Sequence, residues 1–361
     1  MNDRERLIRT VRFEEVDRLP MRHAYGLMPG VLEDWYEEGL PRSVKTRQDE
    51  YEYFGFSPRP KGLPLRVLFD PPFETGVLEE TEEYRIEIDA LGRKTQVLKK
   101  YSTLSRAMEF PVKDFATWED YKRRLLFHPD RVGAELEATA QENLAAGLPN
   151  GYGSMGFYWF PRDLMGDEAL CIAYYEQPDL VADICETWCS LIEQVLRTAL
   201  ERVQLDMIHF GEDMAYRNAS MVSPAIFDRF IRPYYERIRA IVQQYEVPIF
   251  SVDTDGCLQE LAHWFADCGV NFIGPNEVQA GNDIREYRQI FGPRMAFDGG
   301  LDKRVLLEGR EAIDAMLEST IPCMKETGGG WMICLDHRVL KGTRLADFQH
   351  YLNRARELAL F

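Results

Sequence analysis

The chain has 361 residues, 45% hydrophobic and 29% charged, so it is long enough to bury a large core and has the composition of a soluble globular protein. Its net charge of −17 argues against a nucleic-acid surface or an anionic membrane as the main partner. Because it has no long apolar run, no hydrophobic signal region at the N-terminus and seven scattered cysteines without a CxxC pair, we expect a cytoplasmic protein with reduced thiols.

The first part of the chain predicts a helical start followed by an inserted β-hairpin. Residues 2–14 have the apolar spacing of a short amphipathic helix. In residues 81–101, Tyr84, Ile86 and Ile88 alternate with charged residues, and a turn-like DALGR sequence separates them from a second alternating run. Period-two alternation on both sides of a turn predicts an antiparallel hairpin.

Two predicted helices and one predicted loop come next in the chain, before strands and helices begin to alternate regularly. We predict helices over residues 112–126 and 179–203, separated by a loop rich in glycine and aromatic residues at 150–166. Strand-like runs then alternate with helical patterns, and they occupy residues 207–210, 248–252, 271–274, 295–299 and 330–334. This alternation is typical of successive βα units. We therefore predict an α/β protein with one domain over residues 1–361, a (β/α)8 barrel with an N-terminal helical extension and an inserted hairpin.

Acidic residues and one histidine follow the predicted strands. They are Glu212, Asp213, Asp253, Asp255, Glu277, Asp302, Asp336 and His337. Each acidic residue has a simple alternative role as a helix N-cap. In a barrel, however, all of them would meet at the carboxyl ends of the strands, where like charges must be relieved by protonation, a cation or a basic substrate.

A zinc ion is one cation that would relieve this repulsion. Carboxylate oxygen and imidazole nitrogen both bind zinc, so Asp253, Glu277 and His337 are the candidate ligands. Cys334 lies three residues before His337, which puts the two side chains on opposite faces of a strand unless the chain bends. The candidate catalytic residues near this site are Glu212, Asp213, Tyr216 and Asp255.

Other residues are candidates for binding substrate. Arg22 can hold a carboxylate through two parallel hydrogen bonds, or it can form a structural salt bridge. Tyr152, Tyr158 and Trp159, in the aromatic loop, can line a pocket or can simply pack in the core. His209 lies inside an apolar strand, which favours a hydrogen-bonded histidine that lines the barrel.

Several segments in the same order resemble the uroporphyrinogen decarboxylase superfamily, which contains the haem-pathway decarboxylase and corrinoid-dependent methyltransferases on a TIM barrel. They include LMGDEAL (164–170), VDTDG (252–256), PNEVQAGND (275–283), FDGGLDK (297–303) and GGGWMICLDH (328–337). The decarboxylase carries a segment of the form MRQAGRYLPEY. Here MRHAYGLMPGV keeps Arg22 but lacks the second arginine, which counts against a substrate with many carboxylates.

The resemblance to the methyltransferase branch implies a different chemistry. The methylcobamide:coenzyme M methyltransferases bind zinc through a His-x-Cys pair and a later cysteine, and these positions align with Asp253, Asp255 and His337. Oxygen and nitrogen ligands would make a harder, more Lewis-acidic zinc site that suits an ether or phenolic oxygen. The resemblance therefore implies a corrinoid-dependent methyltransferase of the O-demethylase type.

This interpretation implies partners as well as a reaction. A small methoxylated aromatic molecule would donate the methyl group, and a separate carrier protein would bring the corrinoid, because no cobalamin-binding Asp-x-His-x-x-Gly segment is present. The family resemblance also implies a possible homodimer. Two alternatives stay open: a metal-free decarboxylase of a carboxylated, porphyrinogen-type substrate, and a barrel that binds a small molecule or a carrier protein without catalysis.

Overall fold

The computed structural model describes residues 1–99 and 105–361 as an α/β protein. The strands in this part of the chain are β1 (Gly76–Glu80), β2 (Tyr84–Ile88), β3 (Lys94–Leu98), β4 (Arg106–Glu109), β5 (Gly151–Met155), β6 (Met207–Gly211), β7 (Ile249–Asp253), β8 (Phe272–Gly274), β9 (Ala296–Asp298) and β10 (Trp331–Met332).

Fourteen α-helices surround or connect these strands in the described residues. They are α1 (Asp3–Val11), α2 (Val31–Glu37), α3 (Arg47–Tyr53), α4 (Phe115–Arg123), α5 (Leu136–Ala145), α6 (Trp159–Met165), α7 (Asp167–Glu176), α8 (Pro178–Leu200), α9 (Pro224–Phe230), α10 (Arg232–Gln244), α11 (Leu261–Asp267), α12 (Ile284–Phe291), α13 (Arg310–Glu326) and α14 (Leu345–Ala359). None of them is both long enough and apolar enough to pass through a lipid bilayer.

The six later strands form one parallel sheet in the order β10-β9-β8-β7-β6-β5. Helices separate them in the chain, as the predicted βα units require. In β7, every residue from Ile249 to Val252 is buried, and Asp253 alone is partly accessible. Burial on both faces explains why this strand reads as a continuous apolar run rather than as an alternating one.

The predicted closure into an eight-stranded barrel is not observed in the described residues. Beyond β10, single parallel bridges join Met21 to Ile333 and Leu27 to Val339, which adds the N-terminal segment to that edge of the sheet. At the other edge, β5 pairs with β6 and with no other described strand. We call the opening between β5 and residues 18–22 the seam.

Composition explains why no strand fills the seam. Residues 56–69 include Pro58, Pro60, Gly62 and Pro64, and a proline cannot donate a hydrogen bond to a sheet ladder. This segment therefore runs mostly without regular structure and forms one isolated bridge, from Leu65 to Val132.

A second, antiparallel sheet has the order β1-β2-β3-β4. Its central pair, β2 and β3, lies within residues 81–101, where the sequence predicts a hairpin, and Tyr84 opposes Leu98. Asp89 organises the turn because its Oδ1 accepts hydrogen bonds from the backbone N–H groups of Leu91 and Arg93. The flanking strands β1 and β4 were not predicted, and residues 100 and 101 at the end of the predicted hairpin lie outside the described residues.

The two faces of the parallel sheet have different neighbours. Outward-facing side chains such as Phe210 and Phe250 belong to the large core that includes the helices. Inward-facing residues at the amino ends of the strands, such as Ile249 and Phe272, form a separate apolar cluster with Leu7 of α1. Helix α1 thus covers the amino end of the sheet, and we call this inner apolar cluster the floor.

Replacement of Ile249 by alanine tests the contribution of the floor to stability. Ile249 is fully buried, so the Ile249→Ala variant should lower the free energy of unfolding by about 2–5 kcal/mol. The same truncation at Leu126, which is 64% exposed, should change it by less than about 0.5 kcal/mol. Urea unfolding followed by circular dichroism measures both values, and equal losses in the two variants would contradict the assignment of the floor.

Candidate active site

Polar side chains occupy the inner face of the parallel sheet above the floor. Strand alternation places His209 of β6 and Ser251 of β7 on the inner face, one step beyond Met207 and Ile249. The His209 Nδ1 and Ser251 Oγ atoms lie 2.8 Å apart. Burial and the nearby charge of Arg22 lower the pKa of His209 to about 4, so this histidine is neutral at pH 7.

An ion pair joins the N-terminal segment to β9. The Arg22 Nη1 atom lies 3.1 Å from Oδ2 of Asp298, and the Asp298 side chain is only 5% exposed. Burial disfavours the charged form of Arg22, but the negative charge of Asp298 and smaller contributions from Tyr25 and Cys334 together outweigh burial and raise the arginine pKa. Burial also raises the pKa of Asp298, while Arg22 opposes that shift. The Arg22 side chain is nevertheless 37% accessible, which means that it borders an open space inside the molecule.

Asp253 lies at the carboxyl end of β7 and has the most informative environment. Its Oδ2 accepts a hydrogen bond of 2.9 Å from the Tyr25 hydroxyl. Burial, followed by the negative charge of Asp255, raises the pKa of Asp253 to about 7, and the hydrogen bond from Tyr25 opposes that shift. A carboxyl group with this pKa is partly protonated at neutral pH and can donate or accept a proton.

His337 and Asp255 complete this group of side chains. The rings of His337 and Tyr25 stack with centroids 5.6 Å apart and an interplanar angle of 17°. The His337 Nε2 atom lies 3.7 Å from Oδ2 of Asp255. The backbone N–H of Arg338 donates to Nδ1 of His337, so the neutral ring carries its proton on Nε2. We call Tyr25, Asp253, Asp255 and His337 the mouth cluster.

Trp159 lies beside the mouth cluster. A Cβ atom on Gly211 would come within 2.5 Å of the Trp159 ring, so glycine leaves the space that this ring fills. Gly211 is in register with Asp253, which places Trp159 next to the acid. The Trp159 indole N–H donates to Asp163. The prediction that Trp159 contributes to a substrate pocket is consistent with this position.

The arrangement does not suit zinc held by the three predicted ligands. Glu277 accepts a hydrogen bond of 3.1 Å from Lys303 Nζ, Asp253 is bonded to Tyr25, and Nδ1 of His337 is occupied by a backbone donor. Within residues 1–99 and 105–361, no group of three or more His, Cys, Asp or Glu side chains is arranged to hold a metal ion. The predicted set of Asp253, Glu277 and His337 therefore does not meet the requirement for three convergent donors.

Glu277 belongs instead to a buried ion cluster. Lys303 Nζ also lies 3.5 Å from Asp336, and Asp336 accepts hydrogen bonds from the backbone N–H groups of Val278 and Lys303. Asp302, a further acidic residue after a predicted strand, caps the next turn by accepting from the Arg304 N–H. For Asp302 and Asp336, the simple structural role in hydrogen bonding to the backbone holds.

The prediction that Glu212 is catalytic conflicts with its position. Glu212 is fully buried and accepts hydrogen bonds from three backbone N–H groups and from the Tyr235 hydroxyl at 2.7–3.1 Å. The backbone donors are at residues 157–159, where α6 begins. Burial raises the pKa of Glu212, and these hydrogen bonds oppose the shift. With its acceptors occupied, Glu212 supports the loop before α6.

Four further predicted residues lie outside the mouth cluster. Asp213 pairs with Arg162 at 2.7 Å, and Tyr216 is 72% exposed on a loop. Tyr152 and Tyr158 are 4% and 0% exposed and pack in the hydrophobic core. Their rings are covered by the protein itself, which agrees with the alternative that these two tyrosines pack in the core.

Sequence reasoning missed two residues of the site, Tyr25 and Asp298. Tyr25 follows Arg22 by three residues in an irregular segment, which gives no periodic signal. Asp298 is the last residue of an apolar strand, the same context that drew attention to Asp253. A search for carboxylates at that position, rather than beyond it at Asp302, would have found it.

Glu212 provides a test of the support for the aromatic loop. The Glu212→Ala variant should lower the free energy of unfolding by about 3–5 kcal/mol, because it leaves several buried donors without an acceptor. The Asp213→Ala change removes a partly exposed pair and should cost about 1 kcal/mol or less. Denaturant unfolding of both variants measures this difference, and a loss below 1 kcal/mol for Glu212→Ala would contradict the anchoring role.

The raised pKa of Asp253 predicts how stability depends on pH. The folded protein holds a proton on Asp253 up to about pH 7, whereas the unfolded chain releases it near pH 4. Wild-type stability should therefore fall relative to Asp253→Asn as pH rises from about 4 to 7, by at most roughly 1.4 kcal/mol per pH unit. Urea unfolding at several pH values tests this. A constant difference between wild type and Asp253→Asn would refute the raised pKa.

Comparisons with known proteins agree with this architecture. No curated protein matches the chain. The fold is similar to that of a methyltransferase from Methanosarcina mazei, with 15% identity, 99% of this chain and 98% of that chain covered, and a TM-score of 0.63. A B12-independent methionine synthase from Shewanella sp. W3-18-1 is more distant, with 10% identity, 94% and 97% covered, and a TM-score of 0.43. The model of the family described as uroporphyrinogen decarboxylase (URO-D) matches residues 162–358, more than half of the chain, and the chain therefore belongs to this family.

Proposed function

We propose that this chain is an enzyme that moves a methyl group from the oxygen of a methoxylated small molecule to a corrinoid acceptor on a partner protein. The observation that carries the proposal is the carboxyl group of Asp253, whose pKa is raised to about 7. An ether oxygen is a poor leaving group unless it gains a proton or a cation as the methyl group departs. A protonated Asp253 supplies that proton.

The proton balance of this step is simple. The bond between the methyl carbon and the substrate oxygen breaks, and the methyl group passes to the nucleophile without its bonding electron pair. That pair stays on the oxygen, which takes the proton of Asp253 and leaves as a hydroxyl group. A reduced corrinoid supplies the nucleophile when it is bound. Asp253 is left as a carboxylate and regains a proton from solvent through the partly exposed Asp255 and His337.

Aromatic rings and an arginine near Asp253 favour an aromatic substrate that carries a negative charge. The stacked rings of Tyr25 and His337 and the nearby ring of Trp159 offer flat apolar surfaces. Arg22 provides a positive charge close enough to Asp253 to lower the pKa of that acid, against the larger effect of burial. Its guanidinium has one contact to Asp298, and within the described residues no further side-chain partner is found for it. A methoxybenzoate fits these features, with its carboxylate towards Arg22.

The proposal assigns no step to zinc. Glu277 is bound to Lys303, and the mouth cluster does not present three convergent donors, so acid catalysis by Asp253 replaces the Lewis acid that the family resemblance implies. Treatment with a chelator should therefore leave the rate unchanged within about twofold. Loss of activity on chelation and its return with added zinc would show that the site rearranges around a metal.

Methyl transfer can be measured directly. Purified protein is mixed with 2-, 3- or 4-methoxybenzoate and chemically reduced cobalamin, and methylcobalamin and the phenolic product are quantified. Asp253→Asn should lower kcat about 10²–10⁴-fold, whereas the matched Asp255→Asn change should have a smaller effect. The rate should fall as pH rises through about 7, because the acid form of Asp253 is required. An Asp253→Asn variant with at least one third of the wild-type rate would refute the proposal.

Decarboxylation is the second candidate, and Arg22 favours it. In this case the substrate carboxylate binds near Arg22, carbon dioxide leaves, and the carbanion takes the proton of Asp253. Membership in the uroporphyrinogen decarboxylase family also supports this possibility. Among the residues that the structure describes, however, Arg22 is the single cation identified in the site, so a substrate with few carboxylates fits better than a porphyrinogen. Release of labelled carbon dioxide without methyl transfer would select this reaction.

A further inference from the structure

A cavity of about 730 Å³ lies at the seam, and none of the four residues of the mouth cluster lines it. Its lining comes from both open edges of the sheet, with Leu148 and Pro149 before β5 on one side and Leu19 and Arg22 on the other. The irregular segment at residues 55–60 forms a further wall. The cavity therefore exists because no strand fills the seam, and its volume is in the range of small-molecule sites.

The deepest part of the cavity is lined by apolar side chains. Met207 and Phe272 are the first residues of β6 and β8, and Met332 belongs to the short β10. With Leu7 of α1, these side chains are part of the floor or pack against it. They lie at the amino end of the sheet, whereas Asp253 lies at the carboxyl end of β7. A ligand in this space would place its apolar part against the floor.

Arginines surround the same cavity. They are Arg6, Arg18, Arg22, Arg59 and Arg356. Two of them have carboxylate partners: Arg6 pairs with Asp3 and Asp17, and Arg22 pairs with Asp298. For Arg18, Arg59 and Arg356, no carboxylate lies within 4 Å in the part of the chain that the structure describes. In a chain with a net charge of −17, this concentration of unpaired cations at a cavity stands out.

Arg356 shows that these charges are held close together. It is half-buried, donates to the backbone carbonyls of Phe54 and Gly55, and lies over the ring of Phe56 at 5.6 Å. Burial, followed by repulsion from Arg18, lowers its pKa. An anion between Arg18 and Arg356 would relieve this repulsion.

We propose that the cavity binds an amphiphilic organic anion, a small molecule with a carboxylate or phosphate head and an apolar body. The head contacts Arg18, Arg59 and Arg356 at the entrance, and the body extends towards Phe272 and Met332. Volume, apolar depth and unpaired positive charge all agree with this class of ligand. The head-group site at Arg18, Arg59 and Arg356 goes beyond the proposed methyl transfer, whose acid Asp253 lies at the opposite end of the strands; Arg22 is common to both sites.

Calorimetric titration of the protein with three probes tests the site. Decanoate and decyl phosphate carry the two head groups, and decan-1-ol has a similar apolar body without charge. We expect at least one of the two anions to bind at least tenfold more tightly than decan-1-ol, and the comparison between them identifies the preferred head. Equal affinity for decan-1-ol, or no binding of any probe, would overturn the proposal.

Variants at exposed positions separate binding from folding. The Arg18→Ala/Arg59→Ala double variant should weaken binding of the anion at least tenfold. A control double variant, Arg12→Ala/Arg294→Ala, removes the same charge at exposed sites outside the cavity and should change the affinity less than twofold. Leu360→Asp places a negative charge at the lining, at a side chain that is 58% exposed, and should also weaken binding. Thermal unfolding confirms that each variant is folded, and equal losses in both double variants would refute the site.

Discussion

The alternation of side chains along the parallel strands is the constraint on which the rest of the structure depends. Outward positions such as Phe210 and Phe250 pack against the helices and form the main core. Inward positions lose contact with water without gaining the apolar packing of that core, so a polar residue there needs a partner. The His209–Ser251 contact and the Arg22–Asp298 ion pair meet this need, and both therefore lie on the inner face.

The alternation of side chains along the strands also gives two aspartates that are two residues apart different environments. Asp253 and Asp255 are close enough for the charge of one to raise the pKa of the other. Asp253 lies deeper and accepts a hydrogen bond from Tyr25, whereas the Asp255 side chain is 41% exposed beside His337. Burial of the deeper carboxyl group is the main cause that raises its pKa to about 7. Two identical side chains with different environments are a common basis for acid–base chemistry.

The sequence predicted the strands of the parallel sheet more accurately than it predicted whether the sheet closes into a barrel. The spacing of apolar runs correctly placed β6 to β10, because β7 to β10 are almost wholly buried, β6 is buried on its outer face, and helical patterns separate all five. It did not show that residues 56–69 leave the sheet open, since a proline-rich segment can still pass beside a sheet as an edge strand. The family resemblance covered the whole chain, and the matched family model confirms it over residues 162–358.

The candidate site was predictable in part for a similar reason. Their positions just after predicted strands indicate that Asp253 and His337 lie at the same edge of the sheet. Such positions do not indicate which partner a neighbouring carboxylate contacts. Glu212 turns towards backbone donors more than 50 residues earlier in the chain, and Glu277 turns towards Lys303. Such choices depend on contacts that are distant in sequence, so periodicity alone cannot identify them.

The sheet has two free edges instead of a continuous ring, and this affects how the molecule fluctuates. In a closed ring, each strand is held by two hydrogen-bond ladders, but β5 is held by the ladder to β6 alone in the described structure. Gly151 and Gly153 add no side chains to strengthen it. Local unfolding should therefore begin at β5, and its backbone amides should exchange with solvent hydrogen faster than those of β7 in the centre of the sheet.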